Sequence, residues 1–139
     1  KQPRFAPAVV VGGGPIGIET AVALRAAGVD ALVVEAGTIG PTISWWAPHT
    51  RWFSSNDRIA IAGVPLTTVD QSKASREEYL NYLRAVVDQF QVPVKTFTRV
   101  ESIEPVDSGE EGATAAQGES ARPLYRLRVN KIRADSHSA

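Results

Sequence analysis

Between Ala8 and Glu35 the chain passes from an apolar run through Gly12-Gly13-Gly14-Pro15-Ile16-Gly17 to a second apolar run closed by an acid. No other stretch restricts the fold as much. Ala8 to Val11 is too short for a helix and reads as a buried parallel strand, feeding directly into Gly12, Gly14 and Gly17 at the G-x-G-x-x-G spacing. Pro15 suits a first helical turn, where its missing N–H would be unpaired anyway, and Ala21, Val22, Leu24 and Arg25 continue with good helix formers. Gly28 falls where a left-handed C-cap is wanted. Ala31 to Val34 is the second strand, and Glu35 ends it.

Each residue type in this unit has a mechanical use. Gly12 allows the tight exit from the strand, Gly14 lets the main chain approach a pyrophosphate, and Gly17 lets the helix pack closely on the sheet. The helix N–H groups and the positive end of its dipole then face the phosphates. Glu35 lies where a carboxylate can accept both hydroxyls of an adenosine ribose. A carboxylate there repels a 2′-phosphate, so the site favours FAD or NAD over NADP. A bare glycine motif is weak, and a Gly-rich turn in an ordinary βαβ unit is the alternative. The strand before it, the helix after it and the acid at the next strand end supply the context that dinucleotide binding requires.

Composition narrows the remaining classes. At 139 residues and 43% hydrophobic content, one domain with a real core is expected. Fifteen basic and fifteen acidic residues cancel, so charge makes no case for nucleic acid or an anionic membrane surface. Without any Cys, disulfide frameworks, thiolate metal sites and thiol catalysis by this chain are excluded. A nucleotide-cofactor domain lacking disulfides is most simply intracellular, and a cytoplasmic location is expected. No apolar run approaches the roughly 18 residues of a membrane span. The chain begins with Lys1 rather than Met, which suggests a start further upstream or trimming.

Beyond Glu35, Ala36 to Thr42 reads as loop. All three tryptophans, Trp45, Trp46 and Trp52, follow within eight residues; they either pin this loop onto the core or line a cofactor or substrate channel. His49 has no second ligand at metal spacing, so a metal site is not expected; a hydrogen-bonded loop histidine or a general acid/base are its readings. Asp57 to Pro65 alternates briefly, as a short strand or extended arm would. Ser75-Arg-Glu-Glu78 fits a capping box, and Tyr79, Leu80, Leu83, Val86, Val87 and Phe90 form a core-facing helical stripe that Pro93 ends. Val94 to Glu104 reads as one strand stopped by Pro105, beside the first βαβ unit. Val106 to Pro123 is polar and of low complexity, a long hairpin loop, and Leu124 to Val129 is a strand with one wet face. Lys1 to Pro7 is a polar lead-in and Asn130 to Ala139 a frayed tail.

Taken together, the glycine motif with Glu35, the Trp45–Ser55 stretch, Ile59-Ala-Ile-Ala-Gly-Val-Pro65 and the Tyr79–Phe90 helix resemble the N-terminal FAD-binding part of flavoproteins with two dinucleotide-binding domains. Within that group they are most similar to YpdA-like bacillithiol disulfide reductases and flavin-containing monooxygenases, over about residues 8 to 104. The resemblance implies an NAD(P)H-dependent flavin oxidoreductase in which Gly12, Gly13, Gly14, Pro15, Ile16, Gly17, Glu35 and Ala36 hold the ADP part of FAD. It also implies Trp45, Trp46, Pro48 and His49 as candidates near the flavin, and a backbone contact from Val100 to the adenine. YpdA-like reductases often carry a Cys where this chain has Ile16.

The resulting expectation is an α/β, Rossmann-type domain: a parallel sheet with a β-meander or hairpin insertion at about residues 97 to 130. No second glycine motif follows position 35. NAD(P)H would therefore bind a domain not present in this sequence, and the chain reads as an incomplete N-terminal domain, inactive alone, with no catalytic residue of its own. A homodimer of the full-length protein is compatible with the resemblance. An NAD-binding dehydrogenase of different architecture and a non-catalytic module on the same fold are the alternatives.

Overall fold

The computed structural model describes residues 5–106 and 124–132. Strand β1 (Ala8–Val11) pairs in parallel with β2 (Ala31–Val34), Ala8 opposite Ala31 and Val11 opposite Val34. Helix α1 (Pro15–Ala26) connects them. Pro15 opens the helix, and Ile18, Ala21 and Val22 are its buried positions. It closes in a Schellman arrangement: Gly28 N–H donates to Arg25 O at 3.0 Å and Val29 N–H to Leu24 O at 2.9 Å, with Gly28 at φ +81°.

Past β2 come two single-turn helices, α2 (Pro41–Ser44) and α3 (Asn56–Ile59), then the long α4 (Arg76–Gln89). The capping box forms: Glu78 N–H donates to Ser75 Oγ at 3.2 Å and Ser75 N–H to Glu78 Oε2 at 2.7 Å. The helix ends before Pro93 takes effect. Gln91 adopts φ +50° and a second Schellman pair closes the turn, Gln91 N–H to Asp88 O and Val92 N–H to Val87 O. Tyr79, Leu83 and Val86 of α4, Ile18 of α1 and Val33 of β2 are the largest fully buried side chains, so one core joins the two long helices and the sheet. Strand β3 (Val94–Lys95) adds to β2 in parallel, giving the order β1-β2-β3. This is the expected α/β parallel sheet with helical crossovers.

Four sequence expectations need correction. Of the short strand or extended arm expected at Asp57 to Pro65, the strand does not form: α3 occupies its start, and side chains take the bonds a strand partner would take. Asn56 donates to Ser72 O and accepts from Ala74 N, while the hydroxyls of Tyr79 and Tyr82 bind main-chain groups of Ile59, Ile61 and Val64. Val94 to Glu104 is two strands, not one. The chain breaks at Phe97, φ +50°, where it leaves the parallel sheet for a separate antiparallel ribbon of β4 (Thr98–Val106) and β5 (Leu124–Lys131). The insertion is thus a two-stranded hairpin with a bulge between Val100 and Ser102, and Pro105 lies within it opposite Tyr125. A proline there costs no central ladder bond because β4 has only one neighbour. Finally, β5 runs on through Asn130 and Lys131, where a frayed tail was expected, and Tyr125 and Val129 are exposed. Among the described residues the ribbon has no third layer to cover them. The expectations for residues 1–4, 107–123 and 133–139 lie outside the described residues.

Candidate functional site

The glycine loop is shaped by three different demands. Gly12 leaves β1 at φ +110°, a conformation L-residues with side chains rarely adopt, while its N–H still donates to Val34 O at 2.9 Å. Gly17 answers a packing demand: a Cβ there would lie 2.0 Å from Gly12 O, so only glycine lets α1 seat against the strand exit. Gly14 answers neither. Its φ of −81° and ψ of −177° are open to any residue, and a Cβ would meet nothing within 4 Å.

Gly14 is also the N-cap of α1, yet offers no side-chain cap, and the first turn contains no acidic residue. By helix geometry the N–H groups of Gly14, Ile16 and Gly17 have no intrahelical acceptor, and Pro15 has none to offer. The positive end of α1 is therefore unbalanced by its own sequence. Ile16 points outward, 80% exposed.

Glu35, only 6% exposed, turns back onto the loop. Its Oε2 accepts from Gly13 N–H at 2.6 Å and its Oε1 from Gly37 N–H at 2.6 Å. Its main chain links two segments, the N–H donating to Lys95 O at 2.8 Å and the carbonyl accepting from Thr98 N–H at 2.9 Å. Thr98 is itself buried. Gly40 N–H reaches Gly13 O at 2.9 Å, which sets the start of α2 against the loop. Gly12, Gly13, Gly14, Pro15, Gly17, Glu35 and Ala36 are thus brought together. Gly37, Gly40 and Thr98 join them without having been singled out; the two glycines look like ordinary loop residues in sequence.

The aromatic candidates lie on another segment. Trp45 ends α2 and is 88% exposed. Trp46 belongs to a row of rings, Trp46–Trp52 at 4.8 Å, Trp52–Tyr79 at 4.6 Å and Tyr79–Tyr82 at 5.6 Å between centroids, so it pins the loop as one reading held. Burial, with the neighbouring Tyr82 and Glu19 adding to it, pushes the Tyr79 hydroxyl up to about 12. His49 sits at φ +64°, its ring outward and its N–H 3.2 Å from both carboxylate oxygens of Glu77. The Glu77 carboxyl is held below its ordinary range by its own backbone N–H, by that of His49 and by the guanidinium of Arg76. Val100 lies in β4, half-buried opposite Val129. Among the described residues, no hydrogen bond or ring contact joins Trp45, Trp46, His49 or Val100 to the glycine loop.

Two surface cavities, about 330 and 380 Å³, flank the Val64–Lys73 loop, and neither is lined by a residue of the glycine loop. Among the described residues no cluster of His, Asp and Glu could hold a metal ion, and no helix is long and apolar enough to cross a membrane.

Residues 9–123 match the model of the pyridine nucleotide-disulphide oxidoreductase family, which covers most of the chain. The chain belongs to this family. It is similar to the bacilliredoxin reductase Bdr of Bacillus subtilis, 38% identical over 80 residues that make up 58% of this chain and 24% of that protein. It is also similar to the solved bacillithiol disulfide reductase Bdr (YpdA) from Bacillus cereus, with a TM-score of 0.75 and 28% identity over 92% of this chain and 35% of that one. A third likeness, to OTEMO in complex with FAD and NADP, has a TM-score of 0.63 at 24% identity over 94% of this chain and 24% of that one, and shows the fold alone. The chain therefore spans between about a quarter and a third of the length of these relatives.

Proposed function

We propose that this chain supplies the ADP-binding part of an FAD-dependent oxidoreductase that draws electrons from NAD(P)H. One observation carries the reading: neither backbone conformation nor packing accounts for glycine at position 14, at the mouth of a helix whose first N–H groups have no intrahelical acceptor. Close approach of a pyrophosphate accounts for it. The donors fit the group. Gly14, Ile16 and Gly17 would face the phosphates, and Glu35 would take the ribose hydroxyls with lone pairs left over from Gly13 and Gly37. The same carboxylate disfavours a 2′-phosphate, which supports FAD rather than NADP at this loop.

Bound FAD would supply the hydride and electron chemistry, with the protein orienting it. Trp45, Trp46 and His49 remain candidates for the flavin side and Val100 for the adenine. Disulfide reduction, which the name of the Bacillus cereus relative specifies for it, could use no thiol of these 139 residues, because they include no Cys. The test is an FAD titration of the wild type and Gly14→Ala, with thermal unfolding of both. The variant should unfold at the same temperature within a few degrees and bind FAD at least about tenfold more weakly, one steric clash with an otherwise unchanged site. Equal affinities would remove the reading.

A further inference from the structure

We propose that Glu35 is a positioning residue: it holds the glycine loop in its phosphate-accepting shape, independently of any contact with ribose. The proposal rests on the preceding reading that this loop accepts a pyrophosphate. Both carboxylate oxygens are already engaged with main-chain N–H groups, Gly13 on one side and Gly37 on the other, and the side chain is almost wholly buried. Charge-assisted bonds to buried amides are the strong kind.

The Gly13 peptide unit is fixed at both ends, its N–H by Glu35 and its carbonyl by Gly40 N–H at 2.9 Å. Gly13 is glycine for this reason. A Cβ there would stand 3.0 Å from Glu35 Cβ and 3.3 Å from Oε2. Gly14 follows directly as the N-cap of α1, so the direction of the helix mouth is set by the residue just past the neighbouring strand. Gly13 N–H points inward to the carboxylate, which leaves Gly14, Ile16 and Gly17 as the outward donors.

The two roles of Glu35 make opposite predictions for a ligand without ribose. An anion beside a phosphate site repels phosphate, so neutralising it should tighten binding of inorganic pyrophosphate if ribose contact is its only role. If it positions the loop, Glu35→Gln should weaken that binding by about tenfold, because whichever way the amide turns, its NH2 opposes the N–H of Gly13 or Gly37 and one charge-assisted bond is lost. Pyrophosphate is titrated into wild type and Glu35→Gln, and amide hydrogen exchange is followed in the ligand-free proteins. In the wild type, the Gly13 and Gly37 amides should exchange slowly although they lie outside every helix and strand, and Gly14 and Ile16 should exchange fast. In the variant, Gly13 or Gly37 should become fast while Val10 and Val33 stay protected, which separates release of the loop from unfolding. Equal or tighter pyrophosphate binding by the variant overturns the positioning role and leaves the dinucleotide reading intact. Fast Gly13 and Gly37 exchange in the wild type overturns it without any variant. A wild type that binds neither pyrophosphate nor FAD removes the underlying reading and this proposal together.

Discussion

The glycine loop and the segment from Ser44 to Glu77 are held by opposite means. The loop is fastened from behind by main-chain bonds and one carboxylate, and the space in front of Gly12 and Gly14 is open. The later segment is tied down by long side chains that consume its polar groups. Arg76 donates to Ser44 O at 3.2 Å and Trp46 O at 2.6 Å, Glu77 accepts from His49 N–H, Lys73 binds Phe53 O, and Arg51 reaches Ser72 Oγ and Lys73 O. One region leaves the first N–H groups of a helix without intrahelical acceptors; the other engages the side chains just named internally, although the buried Trp52 indole N–H has no partner among the described residues. N–H groups at a helix mouth are ready donors to an anion, which is why the proposed cofactor site is assigned to the first region.

Three variants break or sharpen that contrast. The largest effect belongs to Gly17→Ala, whose Cβ would overlap Gly12 O at 2.0 Å and lever α1 from the sheet. Chemical denaturation should show a loss of about 3 kcal/mol or more, or no folded protein. Next is Tyr82→Phe. Its hydroxyl accepts from Ile61 N–H at 2.8 Å and donates to Val64 O at 2.6 Å, so the variant leaves a buried amide unpaired and should cost about 1–3 kcal/mol. FAD affinity should stay as in the wild type, and a joint loss of stability and affinity would mean the two regions are not separable. Gly14→Ser should have the smallest stability effect, a gain of a few tenths of a kcal/mol from a new N-cap, while FAD binding falls.

Acid and alkali act on the side-chain-fastened region from opposite directions. Tyr79, raised to about 12, favours its neutral form in the fold, so its contribution is complete below the unfolded value of about 10 and is lost as pH climbs from there through 12. Asp70, lowered chiefly by the Ser72 hydroxyl, and Glu77 contribute above their ordinary values and lose that contribution as pH falls through their folded ones. Ultraviolet titration of tyrosinate alongside a pH series of unfolding midpoints checks both signs; a midpoint rising between pH 10 and 12 would contradict the first.

What could be read from the residues follows the same division. The βαβ unit was legible because its determinants are local: a short apolar run, glycines at fixed spacing, Pro15 at a helix start and Gly28 at its end. The capping box at Ser75 was legible for the same reason. Residues 56–65 were not, because Ile59 and Ile61 alternate as in a strand while their main-chain groups are claimed by Tyr79 and Tyr82, some twenty residues later. The break at Phe97 is equally non-local, fixed by Gly37 O accepting its N–H at 3.0 Å. At the site, the glycines and Glu35 were named from spacing. That Glu35 would engage Gly13 and Gly37 depends on a turn at residues 36–40 that no local pattern specifies.

The most direct measurement is a ¹⁵N amide shift map of the labelled chain titrated with ADP. The account predicts saturable shifts at Gly14, Ile16 and Gly17 and at Glu35 to Gly37, with residues 50–76 nearly still. Saturable shifts centred on Ser55 to Lys73, where one of the cavities lies, with the glycine loop unmoved, would contradict it.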